Sequence, residues 1–479
     1  MFLGLDLGTS GLKGVLIDER QQVVAEALAP LSVARPHPGW SEQTPADWIA
    51  AAEMVLAVLA EKVPLDGVAG IGLSGQMHGA VLLDADHRVL RPAILWNDTR
   101  ASAEAAALDD DPNFRAITGN IVFPGFTAPK LRWVKAHEPA IFDAVALVLL
   151  PKDYLRLWLT GEAVSEPSDA AGTSWLDTGA RTWSEPLLAA TGLDRSQMPA
   201  LVEGSAVSGG LRDGVADRFG LRRGTPVAGG AGDNAAAAVG MGVIRPGEAF
   251  LSLGTSGVLF APSPGYRPAP ETAVHSFCHA LPGTWHQMGV ILAATDALNW
   301  YAALVGEDAA TLTAGLGPLE PPGRAMFLPY LGGERTPHND AAVRGALVGL
   351  AHETDRAAAT RAVLEGVAYA VADCRDALAR TGTRLERAIA VGGGGRSDYW
   401  LKLMATVLAI PIDRPVAGDF GAAFGAARLA MMAATGAGAE IATPPTIADT
   451  FHPDNALEDA FAAAHRRYQS LYLALKGLT

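Results

Sequence analysis

Cysteine is scarce in this chain of 479 residues: only Cys278 and Cys374 are present, which excludes a disulfide framework and suits a reducing cytoplasm. Long apolar runs are also missing. Leu147-Val148-Leu149-Leu150 and the stretch 426–434 fall far short of the roughly 20 residues a membrane-spanning helix needs. The N-terminus opens on a strand-like segment with no basic stretch before an apolar one, so no signal peptide and no membrane partner are expected. Positive charge is in deficit: 37 Lys and Arg stand against 51 Asp and Glu, for a net charge of −14. A general nucleic-acid binder, which needs a basic face, is thereby disfavoured. No polar low-complexity tract occurs, charged residues make up 18% and hydrophobic ones 49%, so the chain is globular and not disordered. Its length exceeds one ordinary core and predicts two domains of about 240 residues each, or three smaller ones; a Gly- and Pro-containing turn near 240–247 favours two, at 1–243 and 244–479.

What is present is a repeat. Leu7-Gly8-Thr9-Ser10-Gly11 returns unchanged as Leu253-Gly254-Thr255-Ser256-Gly257, each copy between two apolar runs. A strand, a Gly-Thr-Ser-Gly turn and a second strand make a β-hairpin. A turn of this kind gathers backbone N–H groups and hydroxyls into a small space that suits phosphate. One copy alone reads as an ordinary hairpin; two at homologous places predict two related domains that share one polyphosphate, with Gly8, Thr9, Ser10, Gly254 and Thr255 as phosphate contacts. The copies differ at one place, where Asp6 of the first corresponds to Ser252 of the second. A carboxylate at the end of an apolar strand is costly without a cap or a cation, so Asp6 reads either as an Asx-turn residue or as a partner of Mg²⁺. Lys13 is expected either to reach phosphate from the same turn or to be solvated.

Pattern and punctuation predict strands near 2–7, 13–18, 22–28 and 68–73, and a hairpin from 80–83 to 89–96 over Asp84-Ala85-Asp86. A helix over 45–62 should be capped by Thr44, with Asp47 completing the box. Residues 100–220 read as a helical, loop-rich insertion, and a linker is expected near 240–247. In the second half, strands are expected near 274–281, 284–291 and 387–391, and helices over 355–380 and 398–408, the latter capped by Ser397.

Asp233, in Ala231-Gly232-Asp233-Asn234, is the leading candidate for catalysis: a carboxylate after a bare glycine approach can accept a proton from an attacking hydroxyl, and a helix N-cap role, which also fits Asp, does not exclude it. Gly230-x-Gly232-x-x-Ala235 also fits a loose dinucleotide fingerprint, but an acid stands where pyrophosphate would lie. Gly392 to Gly395, before a capped helix, permits a flat ring or a phosphate to approach the backbone, which nominates Gly393 and Gly394. His275, Cys278, His279 and His286 lack the paired spacing of zinc ligands and read as hairpin packing. Gln76, Met77, His78, Trp96, Asn97 and Asp98, at strand ends, offer the hydrogen-bonding groups and flat wall a polyol requires, or else are plain turns.

These segments resemble the FGGY carbohydrate kinases from residue 2 to about 435. The resemblance rests on residues 4–13, Ser74-Gly75-Gln76-Met77-His78-Gly79, Leu95-Trp96-Asn97-Asp98, residues 125–131, Leu150-Pro151-Lys152-Asp153-Tyr154-Leu155, Gly232-Asp233-Asn234 and Gly392-Gly393-Gly394. It implies an α/β fold of two actin-like (ribonuclease H-like) domains with a nucleotide cleft between them, and ATP with Mg²⁺ as cofactors. It also implies phosphorylation of D-xylulose at O5, with Asp233 as general base, Met77, His78, Asp233 and Asn234 on the sugar, and Asp6 organising Mg²⁺. Gly254, Thr255, Gly393 and Gly394 would line the nucleotide site. A homodimer is left open. Kinases of the same fold for another ketose or an alditol, such as ribulose or arabinitol, and an actin- or Hsp70-like nucleotide switch are the rivals. One departure is visible: Ala358 and Ala359 stand where the family usually has an acid and an apolar residue, which should weaken a helix start.

Overall fold

The two apolar hairpins seed two mixed sheets of seven strands each, seen in a computed structural model that describes residues 1–416, 418 and 420–478. In the first sheet, Phe2–Leu7 pairs antiparallel with Gly11–Ile17, which pairs antiparallel with Val23–Pro30. On its other side Phe2–Leu7 runs parallel to Gly70–Gly75. The second sheet repeats the arrangement. Gly247–Leu253 pairs antiparallel with Gly257–Ser263, that strand with Trp285–Ile291, and Gly247–Leu253 runs parallel to Leu385–Val391. The pentapeptide repeat therefore marks a repeat of topology, as expected.

Each sheet carries helices whose apolar stripes face it. Pro45–Lys62 buries Trp48, Val55, Leu56 and Leu59 against the first sheet. Arg356–Arg380 is buried along most of its length. The helix start expected to be weak at Ala358 and Ala359 is capped, because the Asp355 carboxylate accepts from the Ala358 N–H at 2.7 Å. Thr44 occupies the cap position of its helix, but its hydroxyl makes no cap bond; the turn is closed by the backbone, Asp47 N donating to Thr44 O at 2.9 Å. Ser397 caps Asp398–Leu408 as expected.

The hairpin expected over residues 80–96 is reduced to isolated bridges at Ala80 to Ile94 and Leu83 to Val89. Val81–Leu83 takes Leu147–Leu149 as its partner, and Ala93–Ile94 takes Glu42–Gln43. Residues between 100 and 220 form mostly short helices, as expected.

Helix Ala422–Thr435, late in the chain, packs on the first sheet. It lies so close that an ideal Cβ on Gly72 would sit 1.8 Å from the Ala426 carbonyl oxygen, and one on Gly425 would sit 1.8 Å from the Ala236 carbonyl oxygen. Helix Asp233–Met241 is thus held between the sheet edge and a helix from the other end of the sequence. No helix among the described residues is long and apolar enough to cross a membrane.

Candidate active site

Three parallel strands end together. Asp6 lies opposite Ser74, and Leu7 opposite Gly75. The short strand Ala231–Gly232 joins the same edge, with Ala231 opposite Ser74 and Gly232 opposite Gly75. Register alone thus brings Asp6, the loop that starts at Gln76, and Asp233 to one rim. Ligands of open α/β sheets bind beyond such carboxyl ends.

Asp233 is the first residue of its helix; Gly232 holds the cap position, so Asp233 is not spent as an N-cap. Its Oδ1 accepts from the Asn234 N–H at 2.6 Å and the Asn234 Nδ2 at 2.9 Å. Burial raises its pKa above the ordinary carboxylate value, and the two bonds from Asn234 oppose that rise. A half-buried carboxylate of raised basicity suits proton abstraction.

The loop after Gly70–Gly75 divides its residues between two tasks. Gln76 is 3% exposed, and its amide is engaged inward. It accepts from the Thr9 hydroxyl at 2.9 Å and donates to Gln43 Oε1 at 2.9 Å. Gln43 in turn donates to the Thr9 carbonyl at 2.7 Å and accepts from the Trp48 indole. Trp96, half exposed, donates its indole N–H to the Thr9 hydroxyl at 3.0 Å. Gln76 and Thr9 therefore brace the first Gly-Thr-Ser-Gly turn against the loop. Gln43 is a residue that no local pattern announces.

His78 adopts a left-handed backbone, φ 70°. Its Nδ1 lies 2.6 Å from the Gly172 carbonyl, which can only accept, so the proton sits on Nδ1 and Nε2 keeps its lone pair. Burial, with the charges of Lys130 and Arg335, pushes its pKa down to about 3 against the pull of the Gly172 bond, so the ring is neutral at physiological pH. Phe126 stacks on it at 4.4 Å, and Lys130 Nζ donates to the His78 carbonyl at 2.8 Å. Met77 fills the space beside Gly172 and Gly232. From the second half, Arg335 lies over Phe123 at 4.6 Å and within 3.4 Å of His275 Nε2. His279 and His286 pack around Phe260, in keeping with hairpin packing. The one cluster of close metal-ligand atoms among the described residues lies elsewhere, at Asp373, Asp376 and His465.

On the second sheet, a cavity of about 760 Å³ is lined by Thr295, Asn299, Ala314, Gly393, Gly394 and Trp400, among others. That size suits a nucleotide. The second Gly-Thr-Ser-Gly turn stands behind it: the Gly254 carbonyl accepts both the N–H and the hydroxyl of Thr295, and the Thr255 carbonyl accepts from Ala294. Gly392, at φ 88°, has no room for a Cβ, which would sit 2.7 Å from the Leu253 carbonyl oxygen. Gly254 and Thr255 thus support the cavity, whereas Gly393 and Gly394 line it. On the first turn, Gly8 N donates to Gly11 O, Ser10 is exposed, and Lys13 pairs with Glu26 at 3.2 Å.

Residues 1–240 match the N-terminal domain model, and residues 249–434 the C-terminal domain model, of the FGGY family of carbohydrate kinases. The xylulose kinase of Escherichia coli K12 is 50% identical over 437 residues, covering 91% of this chain and 90% of that protein. The crystal structure of a xyloylose kinase from Brucella ovis superposes with a TM-score of 0.99 at 61% identity, over all of both chains. That of xylulose kinase from Rhodospirillum rubrum gives 0.94 at 33% identity, covering 100% of this chain and 99% of that one.

Proposed function

The chain belongs to the FGGY family of carbohydrate kinases, and within it we propose the transfer of the γ-phosphoryl group of ATP to O5 of D-xylulose, giving D-xylulose 5-phosphate and ADP. The observation that carries this reading is the shared rim of Asp6, the 76–78 loop and Asp233, in a chain that also holds a nucleotide-sized cavity. Asp233 takes the O5 proton as that oxygen forms its bond to the γ-phosphorus, and the bond to the bridging oxygen of ADP breaks. Asn234 aims the carboxylate through its two hydrogen bonds. The lone pair on His78 Nε2 accepts from a sugar hydroxyl, while Met77 and the Trp96 indole supply the apolar walls. Gln76 works from behind, holding Thr9.

The phosphates lie between the Gly8-Thr9-Ser10 turn and the turn at Gly254-Thr255, with the base and ribose against Gly393 and Gly394. Lys13 is within reach of the first turn. Asp6, at the rim, would hold Mg²⁺ through its carboxylate, a hard oxygen donor of the kind this ion takes, and the ion would supply neutralising charge at the phosphate oxygens. Residues 1–243 carry the sugar site and the base, and residues 244–479 the nucleotide cavity.

Replacing Asp233 by Asn tests the assignment. In a coupled ADP-release assay, kcat should fall by at least about 10²-fold, while calorimetry with ATP returns an unchanged affinity. A variant that keeps more than about a tenth of the rate overturns the base assignment. A panel of pentuloses and alditols tests the substrate; a tenfold preference in kcat/KM for another sugar (about 1.4 kcal/mol) would reassign it within the family.

A further inference from the structure

Lys152, Asp153, Arg156, Glu166 and Asp169 form a fully buried ion cluster at the root of the loop that carries Asp233. Lys152 Nζ lies 2.8 Å from Asp153, 3.0 Å from Asp169 and 3.4 Å from Glu166, and the side chains of all four are 0% exposed. Arg156 Nη2 is 3.7 Å from Asp153. Burial alone would depress the Lys152 pKa, but the three carboxylates outweigh it. Burial raises that of Asp169, and the neighbouring Lys152 ammonium opposes the rise. Such a cluster is costly to bury and gives little net stability when a packed apolar core could replace it.

What it does is visible in where its hydrogen bonds go. Arg156 donates to the carbonyls of Ala228 at 2.6 Å and Gly229 at 2.5 Å, the start of the loop. Glu166 accepts from the Ser168 hydroxyl at 2.9 Å and from the N–H groups of Ser168 and Asp169. The Ser168 oxygen then accepts from the Gly232 N–H at 3.1 Å, one residue before Asp233. The loop from Ala228 to Gly232 is thus held at both ends by groups that radiate from one charged cluster. Among the described residues, the hydrogen bonds to the Asp233 carboxylate come from Asn234 alone. The aim of the base is therefore set by Asn234 and by the backbone that carries the two residues.

We propose that Ser168, backed by Glu166 and Lys152, is a positioning residue for Asp233, fixing the base through the Gly232 N–H. This rests on the reading of Asp233 as general base, and the test separates the two. Ser168→Ala removes the acceptor of the Gly232 N–H. A misplacement of about 1 Å can cost about 10²-fold in rate, so we expect kcat to fall about 10- to 100-fold, with the KM for ATP unchanged. The discriminating measurement is a double-mutant cycle with Asp233→Asn. If Ser168 acts through the carboxylate, Ser168→Ala has no further effect on the residual rate of Asp233→Asn.

A Ser168→Ala variant within twofold of the parent in kcat overturns the proposal. So does an equal loss in both backgrounds, which would mark a merely structural residue. An Asp233→Asn enzyme that keeps more than a tenth of the rate overturns the general-base reading itself. Should Ser168→Ala not fold, Ser168→Cys, with similar volume and a weaker acceptor, goes through the same cycle under the same criteria.

Discussion

Gly425 and Gly214 are both helical glycines, and the structure assigns opposite signs to the same substitution at each. An alanine Cβ at Gly425 would lie 1.8 Å from the Ala236 carbonyl oxygen, 2.7 Å from its carbon and 2.9 Å from the Gly240 nitrogen. These are backbone atoms of helix Asp233–Met241 and cannot swing aside, so the two helices must part by more than about 1 Å, and overpacking of this kind costs about 1–3 kcal/mol or more. Reduced freedom of the unfolded chain returns about 0.4–1 kcal/mol, leaving Gly425→Ala destabilised. Gly214, exposed in helix Asp213–Phe219, has nothing within 4 Å of such a Cβ. Gly214→Ala has only the gain, about 0.4–1 kcal/mol. Urea unfolding of both variants beside the parent measures the difference. Because the displaced helix begins at Asp233, Gly425→Ala should also lose kcat, and Gly214→Ala should not. If both variants shift the same way, or if Gly425→Ala matches the parent, the close approach of helix Ala422–Thr435 is wrong.

Asp233 must be ionised to accept a proton, and its pKa is raised, so kcat should fall on the acid side at a higher pH than a free aspartate would give; that limb should be absent from any residual rate of Asp233→Asn. Glu334 is buried and pushed up to about 8. The folded state therefore binds the extra proton between about 4.5 and about 8, and stability present below that window is lost as pH rises through it. Glu334→Gln keeps the oxygen that accepts from Leu292 and Arg335 and should flatten this slope in melts across pH. Ala314→Trp, at the edge of the cavity, should raise the KM for ATP by about tenfold or more by filling the volume, with the KM for sugar within twofold; equal effects on both would place the nucleotide elsewhere. Trp96→Phe keeps the ring and removes the bond to Thr9, so kcat/KM for the sugar should drop about 2- to 12-fold, the worth of one hydrogen bond.

Features set by local chemistry could be read from the sequence. The helix over 356–380 follows from an uninterrupted periodic run, and Asp398–Leu408 from Ser397 and the glycines before it. Features set by distant partners could not. Val81–Leu83 pairs with Leu147–Leu149, and nothing in either segment names the other over a nearby hairpin partner. Gln76 stands in a polar loop beside Met77 and His78, and its composition suited a sugar contact; only the arrival of Gln43 and Thr9 turns its amide inward. The cavity wall at Asn299 and Ala314 was invisible for another reason. Small residues on short helices are chosen there for the space they leave, and space has no sequence signature.

The twin turns show how one pentapeptide comes to serve two ends. Their backbones begin alike, each closing a hairpin at the head of a parallel pair. Their surroundings differ in what they grip. Around the first turn, the Thr9 hydroxyl is held by Gln76 and Trp96, both beside the proposed sugar site, so the position of that turn is tied to the sugar loop. Around the second, the Gly254 and Thr255 carbonyls hold Thr295 and Ala294, at the start of a helix that lines the cavity. On the proposed reading, the first turn meets the phosphate that leaves and the second the nucleotide that stays. Asp6, opposite Ser74 on the rim with Asp233, then belongs with the first turn, and a serine suffices at position 252, where no phosphoryl group is transferred.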